Sequence, residues 1–106
     1  MTNHIKGARM NPLARKQKIL EAAIRLSLTS GYRNITRKDV ALSAQSAQGL
    51  IGHYFINITN LKKEVLKEAV KREIIPILIE NLSDRESERI QLHPALKQKV
   101  INYLTN

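Results

Sequence analysis

The sequence predicts an all-α protein, and three observations support this. Apolar residues recur at spacings close to the helical period over most of the chain. Residues that typically begin or end helices separate these periodic stretches. No stretch of the sequence shows sustained strand alternation or an Asn-Gly-type hairpin turn. With 106 residues, the chain is long enough for one small domain and too short for two ordinary ones.

The first helix is predicted to begin at Asn11, an N-cap residue, with Pro12 in the first helical position. Apolar side chains then follow with near-helical spacing, at Leu13, Ile19, Leu20, Ala23 and Leu26. We expect Gly31 to close this helix as a left-handed residue, because glycine adopts that conformation without a steric penalty.

Two short helices are predicted to follow. Thr36 and Asp39 form a Thr-x-x-acid variant of the capping box at the start of the second helix. The third helix is expected from Ala47 to Tyr54, with Ser46 as its cap. The polar connection between these two helices is about three residues long, which is the geometry of a helix-turn-helix.

The rest of the chain carries further helix signals. Asn57 or Thr59 can cap a fourth helix, which Pro76 must break or kink because proline lacks the backbone donor. The remaining signals are a capping box from Ser83 to Glu86 and a last helix from Pro94 to about Leu104.

The charge of +9 is confined to the first part of the chain. Residues 1–63 contain 11 basic and two acidic residues, whereas residues 64–106 contain seven of each. This excess points to a polyanionic partner, either nucleic acid or an anionic membrane surface. The longest apolar stretch, Ile74 to Ile79, is too short to span a bilayer, and residues 1–10 lack the apolar region of a secretory signal. We therefore expect a cytoplasmic protein that interacts with no membrane.

Several short motifs occur together in order. They are Ile19-Leu20-Glu21-Ala22-Ala23, Gly31-Tyr32, Ile35-Thr36-x-x-Asp39-Val40-Ala41, Gly49-Leu50-Ile51-Gly52-His53-Tyr54-Phe55 and Leu61. This set resembles the amino-terminal DNA-binding domain of TetR-type transcriptional repressors, and the glycine-rich motif is similar to the recognition helix of the betaine-operon repressor subgroup. The resemblance covers roughly residues 15–66. It implies a three-helix, homeodomain-like helix-turn-helix unit with two or three short C-terminal helices for dimerisation.

On this interpretation the chain divides into a flexible basic arm (1–10), a helix-turn-helix domain (11–63) and a helical dimerisation segment (64–106). Small or polar residues at the front of the third helix allow its backbone to approach base edges, and Gln48 can both donate to and accept from adenine. We expect His53 and Tyr54 to reach a phosphate or a base edge on the same face. The start of the second helix favours a phosphate because of its free N–H groups and dipole. The predicted DNA-binding residues are Thr36, Arg37, Lys38, Gln45, Ser46, Ala47, Gln48, Gly49, His53, Tyr54, Lys62 and Lys63.

The sequence departs from the family pattern in two places within this unit. The family usually has Gly-Val in the turn, where this chain has Gln45 and Ser46. A glutamine in a left-handed conformation costs about 1 kcal/mol. Ile58 lies near the position of the family's usual lysine before the fourth helix, so one phosphate contact falls to Asn60, Lys62 or Lys63.

Only 43 residues follow Lys63, whereas TetR-type repressors typically add a large inducer-binding domain. A ligand pocket needs about 300–1,000 Å³, so we expect no small-molecule effector and no cofactor. The isoleucines and leucines after Lys63 exceed what three short helices can bury. This surplus predicts a homodimer, in which Pro76 would set the angle between the two helical segments that form the interface. The predicted dimerisation residues are Ile74, Ile77, Leu78, Leu82, Leu96, Val100 and Leu104.

The predicted function is therefore that of a homodimeric repressor of its own or a neighbouring operon, of the kind found in plasmids and phages. Its partner would be a palindromic operator in double-stranded DNA. Two other classes stay open. One is an RNA-binding protein, although four aromatic residues are too few for a platform on which bases stack. The other is an antirepressor that heterodimerises with a larger regulator. An enzyme is not expected, because the sequence has no cysteine or glycine-rich phosphate loop, and its three histidines are scattered.

Overall fold

The structure, a computed structural model, describes residues 11–83 and 90–105. Six α-helices and no strands occur in these two ranges, as the sequence predicts. A π-helical turn (Ser27–Gly31) and a 3-10 turn (Tyr32–Asn34) connect the first two helices. The α-helices are α1 (Pro12–Leu26), α2 (Arg37–Ala44), α3 (Gln48–Tyr54), α4 (Ile58–Arg72), α5 (Ile75–Ser83) and α6 (Pro94–Thr105). The predicted arm at residues 1–10 and the Glu86 half of a capping box lie outside the described residues.

Side-chain caps begin three of the helices. Asn11 Oδ1 accepts a hydrogen bond from the N–H of Ala14 at 2.8 Å, and Thr36 Oγ1 accepts from the N–H of Asp39 at 3.1 Å. Asn57, rather than Thr59, caps α4. Each of these side chains satisfies a backbone donor that the helix itself leaves unpaired. The cap predictions for α1, α2 and α4 are therefore confirmed.

The cap predictions at Ser46 and Ser83 are wrong. Ala47 precedes α3 without a capping hydrogen bond, and the Ser46 hydroxyl instead lies 3.5 Å from the carbonyl oxygen of Ala44. Ser83 is the last residue of α5, where its hydroxyl donates to the carbonyl oxygen of Ile79 at 2.9 Å. In both cases the hydroxyl bonds back to a preceding carbonyl, a local alternative that serine shares with threonine.

Two helices end with a residue in the left-handed conformation. Gln45 has φ 55° and ψ 45°, as predicted, and Glu73 has φ 55° and ψ 48°. The N–H of the following residue bonds back to the last turn of each helix, from Ser46 to Ala41 and from Ile74 to Ala69.

The end of α4 corrects the role predicted for Pro76. The helix stops at Arg72, and Pro76 lies in the first turn of α5, where proline is tolerated because those N–H groups have no helical partner. Proline thus neither kinks α4 nor sets an angle within the C-terminal segment.

One continuous core joins all six helices. The predicted boundary between residues 63 and 64 falls inside α4, where Leu61 and Val65 on either side of it are completely buried. The described residues therefore form a single packing unit, because both sides of this boundary contribute to one hydrophobic cluster. Its fully enclosed apolar side chains include Ile19, Ala22, Ala23, Val40, Ala44, Leu61, Val65, Ala69, Ile77 and Leu78.

Most of the predicted dimerisation residues belong to this core. The completely or nearly completely buried ones are Ile77, Leu78, Leu96 and Val100, so for these four the prediction is wrong. Ile74 and Leu82 are half-buried against the same cluster, and Leu104 is 62% exposed. Helix α6 packs on α5, and this contact accounts for part of the apolar surplus that the sequence assigned to a second copy.

The Glu80 carboxylate ties α5 to the connection between α1 and α2. Its two oxygens accept hydrogen bonds from the backbone N–H of Tyr32 at 2.7 Å and of Arg33 at 3.3 Å. Gly31 adopts φ 96° and ψ 132°, so it has the expected positive φ but not the helical left-handed conformation. A Cβ at Gly31 would lie 3.3 Å from a Glu80 oxygen. Glycine is required here both by the backbone conformation and by the approach of the carboxylate.

An ion pair joins α1 to α4. The Arg72 guanidinium bonds to both carboxylate oxygens of Glu21, and its Nε donates to Glu68 at 2.9 Å. The hydrogen bond from Arg72 holds the pKa of Glu21 below its ordinary value, and the same bond raises the pKa of Arg72. Both partners are partly solvated, so the pair orients two helices more than it stabilises them.

Asn81 is a fully buried polar residue that fixes the segment before α6. Its Oδ1 accepts a hydrogen bond from the N–H of Ile90 at 3.1 Å.

No helix in the described ranges has the length and apolar character needed to cross a membrane.

We expect Leu78→Ala to lower the free energy of unfolding by about 2–5 kcal/mol, because it leaves a cavity in the core. Leu104→Ala serves as the control and should change stability by less than about 0.5 kcal/mol, since that side chain is exposed. Urea denaturation followed by circular dichroism measures both values. Equal stabilities for the two variants would contradict the placement of Leu78 in the core.

Glu80→Gln should lower the free energy of unfolding by about 1–2 kcal/mol, because hydrogen bonds to a charged acceptor are replaced by weaker ones. The matched control is Glu64→Gln, which removes only an exposed pair with Lys67 and should cost less than about 0.5 kcal/mol. The same denaturation measurement applies. A control as destabilised as Glu80→Gln would show that the carboxylate does not clamp the connection.

Candidate nucleic-acid interface

Helices α2 and α3 are joined by residues 45–47, a connection of the predicted length. Helix α2 packs against both α1 and α3. Its buried residues Val40, Ala41 and Ala44 are small, which allows the neighbouring helices to approach closely. The left-handed residue Gln45 turns the chain, and its side chain is exposed, while Ser46 is half-buried.

Two side chains anchor α3. Ile51 and Phe55 are each 1% exposed, and Leu50 is half-buried, as expected for the inner face of this helix. The ammonium of Lys16 on α1 lies 5.3 Å from the centre of the Phe55 ring, within cation–π range. The Phe55 ring therefore attaches the end of α3 to the core and also contacts a charged side chain of α1.

The opposite face of α3 is open. Ala47, Gln48, Gly49 and His53 are all exposed. A Cβ built at Gly49 would meet no atom within 4 Å, so packing inside the described structure does not require glycine there. This face can therefore accept a close approach by another molecule.

Tyr54 departs from the prediction that it shares a face with His53. Its side chain is half-buried and packs against the core. The His53 and Tyr54 rings meet edge to face with their centres 4.9 Å apart. Because consecutive helical residues point about 100° apart, only His53 lies fully on the open face.

The start of α2 bears two exposed cations, and one of them lies against α3. Thr36, Arg37 and Lys38 are exposed, and the Thr36 hydroxyl is occupied as the cap. Within the described ranges, the side chains of Arg37 and Lys38 form no hydrogen bond or ion pair. The guanidinium of Arg37 lies 3.8 Å from the position of a Cβ at Gly52, so it rests on α3.

The lysines of α4 differ from each other. Lys62 donates to the carbonyl oxygen of Arg33 at 3.3 Å and lies 5.0 Å from the centre of the Tyr32 ring. These contacts engage one donor and one face of its ammonium, and the phosphate contact expected of Lys62 stays a prediction. Lys63 is exposed. Ile58, at the position of the family's usual lysine, is half-buried against the core.

Four cations of α1 and α2 have no ion-pair partner among the described residues. Glu64, Glu68 and Glu73 all pair with lysines or arginines of residues 64–105. Among the described residues, no carboxylate lies within ion-pair distance of Lys16, Lys18, Arg37 or Lys38. These four cations, which are part of the excess seen in the sequence, are therefore available to an anion at the surface.

Two contacts of this surface were missed by sequence reasoning: Lys16 on Phe55, and Arg37 on Gly52. Each joins residues that are distant in the sequence, and no local pattern encodes such a pair. Across residues 11–83 and 90–105, no three His, Asp or Glu side chains are grouped so as to hold a metal ion.

The chain matches no protein-family model, no curated protein and no solved structure. Its function must therefore be inferred from the open face of α3 and the cations around it.

Proposed function

We propose that the protein is a sequence-specific transcriptional regulator of the TetR type that binds double-stranded DNA. In this proposal α2 and α3 form a helix-turn-helix, and α3 enters the major groove. The observation that carries the proposal is the division of α3 into an anchored face, with Ile51 and Phe55 buried, and an open face bearing Gln48, Gly49 and His53. An α-helix fits the major groove, where base edges present distinct donors and acceptors.

The uncompensated cations support the same proposal. Arg37 borders the open face, Lys38 follows it at the start of α2, and neither has a carboxylate partner in the described part of the chain. Cations in this position can contact the phosphates beside the groove, and such contacts fix the register of a protein on DNA. Lys63 is also exposed, and Lys62 donates to the carbonyl oxygen of Arg33.

We further propose that the regulator acts in the bacterial cytoplasm as a homodimer on a palindromic operator. A single helix-turn-helix contacts only a few base pairs, so specific sites usually need two units related by a two-fold axis. Helix α6 exposes three large side chains, Ile101, Tyr103 and Leu104. Because residues 64–106 carry no net charge, two copies can meet there with less repulsion than at their basic parts.

No small-molecule effector is included in the proposal. The described residues line a hollow of about 240 Å³ beside α5 and α6, with Leu82, Ile90, Leu92 and Lys97 on its walls. Ligand pockets usually enclose about 300–1,000 Å³, so this hollow is small for a drug-sized inducer.

A protein-interaction adaptor is the second candidate. The exposed side chains of α6 would serve equally well for contact with a larger regulator. An adaptor would not retain specific duplexes from a random pool, which separates the two functions.

Binding-site selection from random DNA duplexes should yield a palindromic consensus with the wild-type protein. Gln48→Ala should then weaken binding to that consensus by about 1–3 kcal/mol in a gel-shift titration, because a base contact is lost. Binding to unrelated duplexes should hardly change, since phosphate contacts dominate it. Gln91→Ala, a remote exposed glutamine, is the control and should bind normally. The absence of any consensus would contradict the proposed function.

Leu104→Glu should convert a dimer into a monomer with intact helices, because an unpaired carboxylate is costly in an apolar interface. Light scattering gives the mass, and circular dichroism checks the fold. Leu28→Glu changes an exposed leucine elsewhere and should leave the mass unchanged. A dimer that survives Leu104→Glu would place the interface away from the end of α6.

A further inference from the structure

The placement of Arg37 carries an inference that rests on the proposed function and deepens it. Arg37 belongs to α2, and sequence reasoning assigns it to a phosphate. Its guanidinium carbon and both terminal nitrogens, however, each lie 3.8 Å from the position that a Cβ would take at Gly52 of α3. The charged group therefore lies on the recognition helix itself.

The helical period shows on which side of α3 the guanidinium lies. Gln48 and Gly52 are four residues apart, and Gly49 and His53 are also four residues apart, so these four positions share one face. The inner face is occupied by the buried Ile51 and the half-buried Leu50 and Tyr54. Gly52 thus lies on the open face.

The exposure of Gly52 agrees with this placement. Gln48, Gly49 and His53 are exposed, whereas Gly52 is only partly accessible, and the atoms nearest to its missing side chain are those of Arg37. Arg37 itself is exposed and makes no hydrogen bond or ion pair in the described part of the chain. Its donors are therefore free, and they lie among the residues that would face the base edges.

We propose that Arg37 is a specificity-determining residue that reads a guanine in the major groove beside the base read by Gln48. A guanidinium presents its N–H groups as a planar fork, which matches the O6 and N7 acceptors of guanine. The guanidinium lies along α3 at Gly52, because this residue has no side chain that would occupy the same space. Lys38 keeps the phosphate contact that the sequence predicts for it.

Binding-site selection with four proteins tests this assignment: wild type, Arg37→Ala, Arg37→Lys and Lys38→Ala. The wild-type consensus should contain a guanine in each half-site. Arg37→Ala should bind this consensus about 5- to 150-fold more weakly and lose the guanine preference, while the preference due to Gln48 remains. Arg37→Lys retains the charge but not the fork, so it should lose most of the same preference. Lys38→Ala should bind all duplexes more weakly and keep the consensus.

Gly52→Val tests the position of the guanidinium on α3. A Cβ at Gly52 would lie 3.8 Å from the guanidinium, an ordinary van der Waals contact, so the two further methyl groups of valine should displace Arg37 and weaken the guanine preference, as Arg37→Ala does. Circular dichroism of every variant checks folding, which we expect to be unchanged because Arg37 is exposed. If Arg37→Ala selects the wild-type consensus, Arg37 reads no base and the assignment is overturned. If the wild-type protein selects no consensus, the proposed function itself fails, a result that is distinct from the first.

Discussion

The burial of Ile51 and Phe55 is the constraint on which the open face of α3 depends. A helix of seven residues is far below the length at which isolated helices are stable, and α3 also lacks a side-chain cap. Packing must therefore supply its stability, and these two side chains are its deepest attachment to the shared core. Once they are buried, the helical period alone determines which residues face outward. The exposed positions of Gln48, Gly49 and His53 are consequences of this anchoring.

The helices themselves could be predicted from the sequence because their signals are local. Asn11, Thr36 and Asn57 cap helices through backbone groups three residues away, and a local pattern captures such bonds. Ser46 was mistaken for a cap because its hydroxyl has a competing local acceptor, the carbonyl oxygen of Ala44. Sequence alone does not decide between two acceptors of similar reach.

The division between core and interface was not predictable in the same way. Leu78 and Leu104 are chemically identical and both lie in helices of the C-terminal part, yet one is completely buried and the other is 62% exposed. A core and a protein interface both require apolar side chains, so composition cannot distinguish them. The distinction depends on how α5 and α6 pack, and that packing is directed by long-range contacts. Asn81, for example, bonds to the backbone of Ile90, and Glu80 bonds to that of Tyr32 and Arg33.

The same distinction between local and long-range information applies to the charged residues. The sequence places the positive excess in residues 1–63, but it does not show which cations are free. Lys62 is held by Arg33 and Tyr32, whereas Arg37 rests on Gly52 with its donors unused within the described ranges. A cation held by the fold contributes to the long-range field, but it contributes less to a specific contact because its nearest donors are already engaged. The capacity of this surface to recognise a particular sequence therefore depends less on the total charge than on the few cations that the fold positions and leaves unpaired.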